Sequence, residues 1–373
     1  MERIQRQQII DDLEKKMVFL TGPRQVGKTW LAKQIADEVA GSVYLNYDSA
    51  EDRDIIRKER WLPTVTLLVL DELHKMKGWK NYIKGIYDTR APEMRILVTG
   101  GARLEAFRQH GDSLAGRFFR HRLLPFSPAE VSRIGETADL DRFISRGGFP
   151  EPYLAEDPVD ADRWRLQYID GLIRTDILDF EKIHDFRAMQ TVFELLRSRV
   201  GSPVSYQSIA EDAEVAPNTV KKYIQILESL FIVFRVSPFS RNIARSIKKE
   251  PKIYFFDSGL VKGDDGAAFE NLVALALLKH VYGLVDIKGM PYALYHLRTK
   301  DKEEVDFCIV NDDKAELMIE AKLSDADPAR SLLRFQERYD IPAVQVVRHL
   351  KREKHVKNIE IRQGLDYLKD LLL

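Results

Sequence analysis

The chain has 373 residues, 45% of them apolar and 31% charged, with 58 Lys+Arg balanced by 58 Asp+Glu. Such a length implies two or three domains, the composition excludes a disordered chain, and zero net charge excludes a whole-molecule field drawing it onto nucleic acid. A lone cysteine, Cys308, excludes an internal disulfide framework, and there is no zinc-like Cys/His spacing, no apolar run near a membrane span and no signal-like N-terminus, so a cytoplasmic protein without a membrane segment is expected.

In chain order, the first signal is residues 17–21, a continuous apolar run as expected of a strand buried on both faces. It leads into Gly22, Pro23, Arg24, Gln25, Val26, Gly27, Lys28 and Thr29, which match G-x-x-x-x-G-K-[ST] at every fixed position, and a helical pattern follows from Trp30. In that context the loop's backbone N–H groups close around phosphates at a helix N-terminus. Lys28 then neutralises the β- and γ-phosphates of ATP and Thr29 ligates Mg²⁺, so residues 22–30 form the expected nucleotide-binding set.

Residues 66–70 repeat the buried-strand pattern and end in Asp71 and Glu72. Asp71 is expected to hold the Mg²⁺ water shell, and Glu72 to polarise the attacking water. A third such run, 94–99, puts Thr99 where a polar group senses the γ-phosphate. Arg117 stands just before the last core strand, 118–124. From there an arginine either reaches a neighbouring subunit's γ-phosphate or anchors its own loop.

The segments GPRQVGKT, LLVLDELHK, ILVTGGARL, SLAGR and GGFPEPY together resemble a large family of poorly characterised bacterial and archaeal AAA+ ATPases. Archaeal ATPases and STAND-type ATPases share the glycine–proline element, here Gly147 to Pro150. The resemblance implies an α/β P-loop AAA+ core with a parallel sheet over residues 1–150 and a helical lid or linker over 151–186. Within that lid, Arg174 contacts a phosphate or pairs within its own helix. An arginine acting in trans requires a homo-oligomer, with a hexamer as the expected ring. Gly101 stands where the family usually has Ser, which leaves Thr99 less supported as the sensor.

Residues 205–211 and 217–229 read as two helices across a tight turn. Val220, Tyr223, Ile224 and Leu227 share one face of the second, and Lys221, Lys222 and Gln225 lie off it. Two strands follow, 230–236 and 252–256, and their connection carries Arg241, Arg245, Lys248 and Lys249. This is the plan of a winged helix-turn-helix over 187–262. From Arg187 to Lys262 there are 12 Lys/Arg against 7 Asp/Glu, which suits DNA binding through those six basic residues. A purely structural packing module is the alternative.

The region 263–373 carries a second constellation. Residues 268–280 have helical spacing, with Glu270 near the start. Alternation in 304–310 puts Glu304 and Asp306 on one face, and in 317–322 it puts Glu320 and Lys322 on one side. A hairpin of these strands gathers Asp306, Glu320 and Lys322. Two carboxylates suit Mg²⁺ or Mn²⁺, Lys322 orients a water, and Glu270 completes a metal site. The order resembles the PD-(D/E)XK nuclease fold of restriction endonucleases and Holliday-junction resolvases. That resemblance implies a C-terminal α/β restriction-endonuclease-like domain acting on DNA, with branched DNA as the substrate by analogy. The alternatives are a salt bridge from Lys322 to Asp306 or Glu320, and an ATP-dependent oligomeric switch or scaffold that binds a partner protein with a silent nuclease-like domain.

Overall fold

Five strands pair in the N-terminal part of the chain: β1 (Met17–Thr21), β2 (Ser42–Asn46), β3 (Leu67–Asp71), β4 (Arg95–Gly100) and β5 (Phe118–Arg122). All run parallel, in the order β2-β3-β4-β1-β5. β1 and β3 are buried at every position, which is why they read as unbroken apolar runs. β2 is half exposed and carries no such signal in the sequence. Because β4 lies between β1 and β3, the loops after all three open at the same carboxyl edge, where ligands of parallel sheets bind.

These coordinates come from a computed structural model that describes residues 2–101, 104, 114–172, 185–240, 250–299, 301, 303–324 and 327–373. Arg174, Arg241, Arg245, Lys248 and Lys249 lie outside the described residues. The chain divides into two units, Met1–Leu124 and Pro125–Leu373. The division therefore precedes the expected position at residue 150. The reason is local packing: the Phe126 amide donates to the Gly148 carbonyl at 2.6 Å. In addition, a Cβ at Gly147 would lie 1.9 Å from the Asp257 carboxylate.

In the second unit, helices Tyr206–Asp212 and Pro217–Ser229 flank a turn, as the spacing predicts. The second helix buries Val220, Tyr223, Ile224, Ile226 and Leu227. It is followed by β6 (Val233–Pro238) and β7 (Lys252–Phe255), an antiparallel pair. β8 (Tyr292–Arg298), β9 (Glu304–Asn311), β10 (Lys314–Lys322), β11 (Ala343–Val347), β12 (Lys354–Val356) and β13 (Ile359–Gln363) complete this unit's strands among the described residues. Ser237 and Pro238 of β6 pair in parallel with Tyr295 and His296 of β8. One sheet of eight strands results, ordered β12-β13-β11-β10-β9-β8-β6-β7. The expected boundary at 262/263 is thus crossed by the sheet.

The helix Asp265–Asp286 is longer than its sequence signal and, by length and composition, apolar enough to cross a bilayer. However, 72% of its most apolar window is buried within the protein, so its apolarity serves packing. Its one fully enclosed cation, Lys279, meets the equally enclosed Glu130 at 2.5 Å and the Pro125 carbonyl at 3.0 Å. Removing one partner of such a pair strands the other charge away from water. Glu130→Ala is therefore expected to lower the stability of the Pro125–Leu373 unit by about 3–5 kcal/mol. Urea unfolding followed at Trp164, which lies in that unit, checks this; a loss under about 1 kcal/mol would contradict it.

Candidate nucleotide site and carboxylate centre

The loop after β1 is fixed by sterics. Gly22 has φ 146°, and a Cβ there would lie 2.0 Å from the Leu123 carbonyl oxygen, so only glycine fits. Gly27, at φ 94°, turns the chain into helix Lys28–Glu38. From the N-terminal segment, buried Arg3 donates to the carbonyls of Val26 at 2.9 Å and Leu124 at 2.5 Å, bracing the loop against the end of β5. Pro23 and Val26 face inward, whereas Arg24, Gln25, Thr29 and Trp30 are exposed. Trp30, 46% exposed, follows the loop as a bare aromatic surface.

Lys28 is folded back into the loop, donating to the carbonyls of Gly22 at 3.1 Å and Pro23 at 2.5 Å. Burial lowers its pKa to about 8; the charges of Glu72 and Asp71 oppose that shift and Arg24 adds to it. Those carbonyls hold the ammonium where phosphate oxygens would replace them.

Asp71, 1% exposed, is the hub. Its Oδ2 accepts from Thr29 Oγ1 at 2.7 Å and from Tyr44 Oη at 2.6 Å, and its Oδ1 accepts from Thr99 Oγ1. The loop threonine, the acid ending β3 and the sensor-position threonine ending β4 are thereby brought together, as expected. A hydroxyl beside a buried carboxylate is the donor set that Mg²⁺ takes alongside nucleotide phosphates. Thr29 and Asp71 would hold it, and the ion would neutralise charge on the β- and γ-oxygens. Glu72 sits at φ 57°, its amide donating to the Thr99 carbonyl at 3.1 Å. Its carboxylate lies 3.4 Å from Lys75 and 3.6 Å from His74, held back from the hub. Tyr44 and Arg3 have no counterpart in the sequence reading. Tyr44 lies on a half-exposed strand, and Arg3 precedes every recognisable element.

Arg117 is engaged by Asp88, with bonds of 2.8 and 3.1 Å to its two oxygens. Within the single chain this pair ties Arg117 to the helix Trp79–Thr89.

In the second unit the β9–β10 ladder runs only from Asn311↔Lys314 to Phe307↔Ile319. Beyond it, the Asp306 amide donates to Glu320 Oε2 at 3.2 Å and the Ala321 amide to Asp306 Oδ2 at 3.1 Å. Asp306, Glu320 and Lys322 do meet, and Glu270 comes in from its helix. The cations differ from expectation. Lys322 donates to Glu320 at 2.8 Å, the salt-bridge alternative. Lys252, at the start of β7, reaches Glu304 at 2.8 Å, Asp306 at 2.9 Å and Glu270 at 3.2 Å. Tyr254 also donates to Glu270, at 2.7 Å. Burial, then the nearby Asp306 charge, raises the Glu270 and Glu320 pKa values. Burial works against the Lys252 charge, but Tyr254, Asp306, Glu270 and Glu304 outweigh it and lift its pKa well above the ordinary value.

The expected metal set of Glu270, Asp306 and Glu320 lies together, with Lys252 among its carboxylates. These carboxylates are already met by lysine, tyrosine and backbone donors, and the described residues hold no group of three acidic, His or Cys side chains arranged for a metal. Neither Lys252 nor Tyr254 figures in the sequence reading. Yet the alternation of Lys252-Ile253-Tyr254-Phe255 places both polar groups on one face, a signal that could have found them.

Residues 14–132 match a family model described as AAA domain. Residues 137–263 and 265–365 match models described as Domain of unknown function (DUF8612) and Domain of unknown function (DUF4143). An uncharacterized protein of Mycobacterium tuberculosis is 26% identical over 303 residues, which are 79% of this chain and 67% of that one. An uncharacterized protein of Methanocaldococcus jannaschii is 21% identical over 360 residues, 87% and 79% of the two chains. Among solved structures, a Walker-type ATPase of Pyrococcus abyssi aligns with TM-score 0.44 and 13% identity, covering 69% of this chain and 93% of that one. AMPPCP-bound DnaA from Aquifex aeolicus aligns at 0.33 and 16%, covering 60% and 85%. At such scores the fold is better read from the strand order itself. The N-terminal unit is a AAA-type P-loop nucleotide-binding domain on an α/β fold with a parallel sheet.

The Lys28 environment gives a pH signature. Phosphate favours the charge that burial suppresses, so nucleotide binding raises the Lys28 pKa above about 8. Near pH 8.5, ATP binding is expected to take up on the order of half a proton, and affinity falls as pH rises through that range. Calorimetry in two buffers of different ionisation enthalpy measures the uptake. Zero uptake, or uptake unchanged in Lys28→Arg, would count against it.

Proposed function

We propose that this chain is an ATP hydrolase whose nucleotide state governs its hold on DNA. The observation that carries the reading is the convergence of Thr29, Tyr44 and Thr99 on Asp71 beside Lys28. It joins phosphate, Mg²⁺ and sensor positions through one buried carboxylate. Glu72 is the base, and it reaches an attacking water once nucleotide draws it from Lys75 and His74.

DNA is the favoured partner because helix Pro217–Ser229 buries its apolar face and leaves Asn218, Lys221, Lys222 and Gln225 exposed. Side chains of that kind on the second helix of a winged helix-turn-helix contact phosphates and base edges. The sequence of 241–249 adds four further cations. Branched DNA remains the substrate suggested by analogy, and a homo-oligomer, with a hexamer as the expected ring, the proposed assembly. The C-terminal PD-(D/E)XK-like centre is read as a binding scaffold. Lys252 and Lys322, each bonded to its carboxylates, favour that over Mg²⁺- or Mn²⁺-dependent cleavage.

A second reading, an ATP-dependent oligomeric switch that binds a protein, is favoured by the same neutralised centre. Fluorescence anisotropy on linear and four-way-junction DNA, with and without ATP, separates them. Lys28→Ala is expected to weaken ATP binding by about 10- to 100-fold. Glu72→Gln should bind ATP but lose about 10²–10⁴ in turnover. Lys221→Ala and Lys222→Ala should each reduce the slope of log K against log salt by about 1. No DNA binding in any nucleotide state would overturn the DNA reading in favour of the switch.

A further inference from the structure

Three carboxylates from two elements converge on the Lys252 Nζ: Glu304 and Asp306 of β9, and Glu270 of the helix Asp265–Asp286. An ammonium has three N–H donors and no acceptor; two of its bonds go to Glu270 and Asp306, and Glu304 adds a third ion pair. The group is 1% exposed. Its backbone is fixed as well: Lys252 pairs with Val236 in the β6–β7 ladder and bridges Pro203, and the preceding Pro251 carbonyl accepts from the Val204 amide at 2.8 Å.

A divalent cation on these oxygens would bond them at roughly 2.0–2.6 Å, within the space that the ammonium fills. Two positive groups cannot share it, and the Lys252 side chain is 1% exposed. The remaining carboxylate, Glu320, is met by Lys322 and the Asp306 amide. The donor set therefore does not fit a resident metal, although its residue types do.

We infer that Lys252 is the built-in cation of the C-terminal carboxylate centre. The centre acts as a metal-free ion-pair joint that clasps the β6–β7 hairpin to the β9 strand and the Glu270 helix, and it takes up no Mg²⁺ or Mn²⁺. This inference is independent of what the P-loop unit acts on.

The test is Mn²⁺ binding by electron paramagnetic resonance on the full-length, nucleotide-free chain carrying Thr29→Ala, which silences the P-loop position. With Lys252 present, no specific Mn²⁺ should bind below about 1 mM. Lys252→Met should gain one Mn²⁺ site at least about tenfold tighter, lost again on adding Asp306→Asn, and Mn²⁺ should raise its melting temperature. Lys252→Arg should stay closed to the metal. Mn²⁺ bound with Lys252 in place and lost in Asp306→Asn would overturn the inference, as would a folded Lys252→Met that gains no site. Should Lys252→Met fail to fold, the titration of the Lys252 chain with and without Asp306→Asn still decides. None of these outcomes bears on ATP turnover or DNA affinity, so the two readings fail separately.

Discussion

Asp71 and Lys252 are each 1% exposed, and a charge so far from water is tolerable only if donors or counter-charges replace its hydration. That requirement shapes both units. Asp71 ends a wholly buried strand, so side chains from the P-loop helix, β2 and β4 must converge on it, and their hydroxyls become the floor of the nucleotide site. Lys252 opens a buried strand, and its ammonium is met by carboxylates from the helix Asp265–Asp286 and from β9. The Arg165–Asp257 pair, with Nε 2.9 Å from the carboxylate, and Lys279–Glu130 follow the same rule. These pairs tie together segments more than ninety residues apart.

The sequence made legible whatever depended on burial along a single element. Strands β1, β3 and β4 stood out because both of their faces are covered, and the face of helix Pro217–Ser229 could be drawn from spacing alone. Half-exposed β2 and the short pair β12 and β13 could not, since alternation over so few residues is indistinguishable from a loop. The unit boundary also escaped reading. The stretch from Pro125 to Pro150 continues the ATPase-like motifs in sequence, yet its packing partners are Asp257 and Lys279.

The carboxylate centre shows what spacing cannot supply. Alternation correctly placed Asp306, Glu320 and Lys322 within reach of one another, because each pair lies on one strand or one hairpin. It could not show that a fifth side chain enters from β7, more than fifty residues earlier in the chain. A carboxylate set inferred from motif order is complete only in its anions. The cation that answers them is chosen by tertiary structure, and here the protein supplies its own. Arg117 makes the complementary point: its position in the chain suits a role in trans, but Asp88 lies close enough to claim it.

The parallel pairing of β6 with β8 through Ser237 and Pro238 has a bearing on how this region can be cut. A cut after Lys262 would remove both hairpin strands, baring hydrogen-bonding groups along β8. It would also leave Glu270, Glu304 and Asp306 without their ammonium. An open edge of that kind recruits strands from other molecules, while the abandoned carboxylates repel one another. The helix pair, the hairpin and the C-terminal sheet are thus tied together by the β6–β8 pairing and by the Lys252 ion pairs.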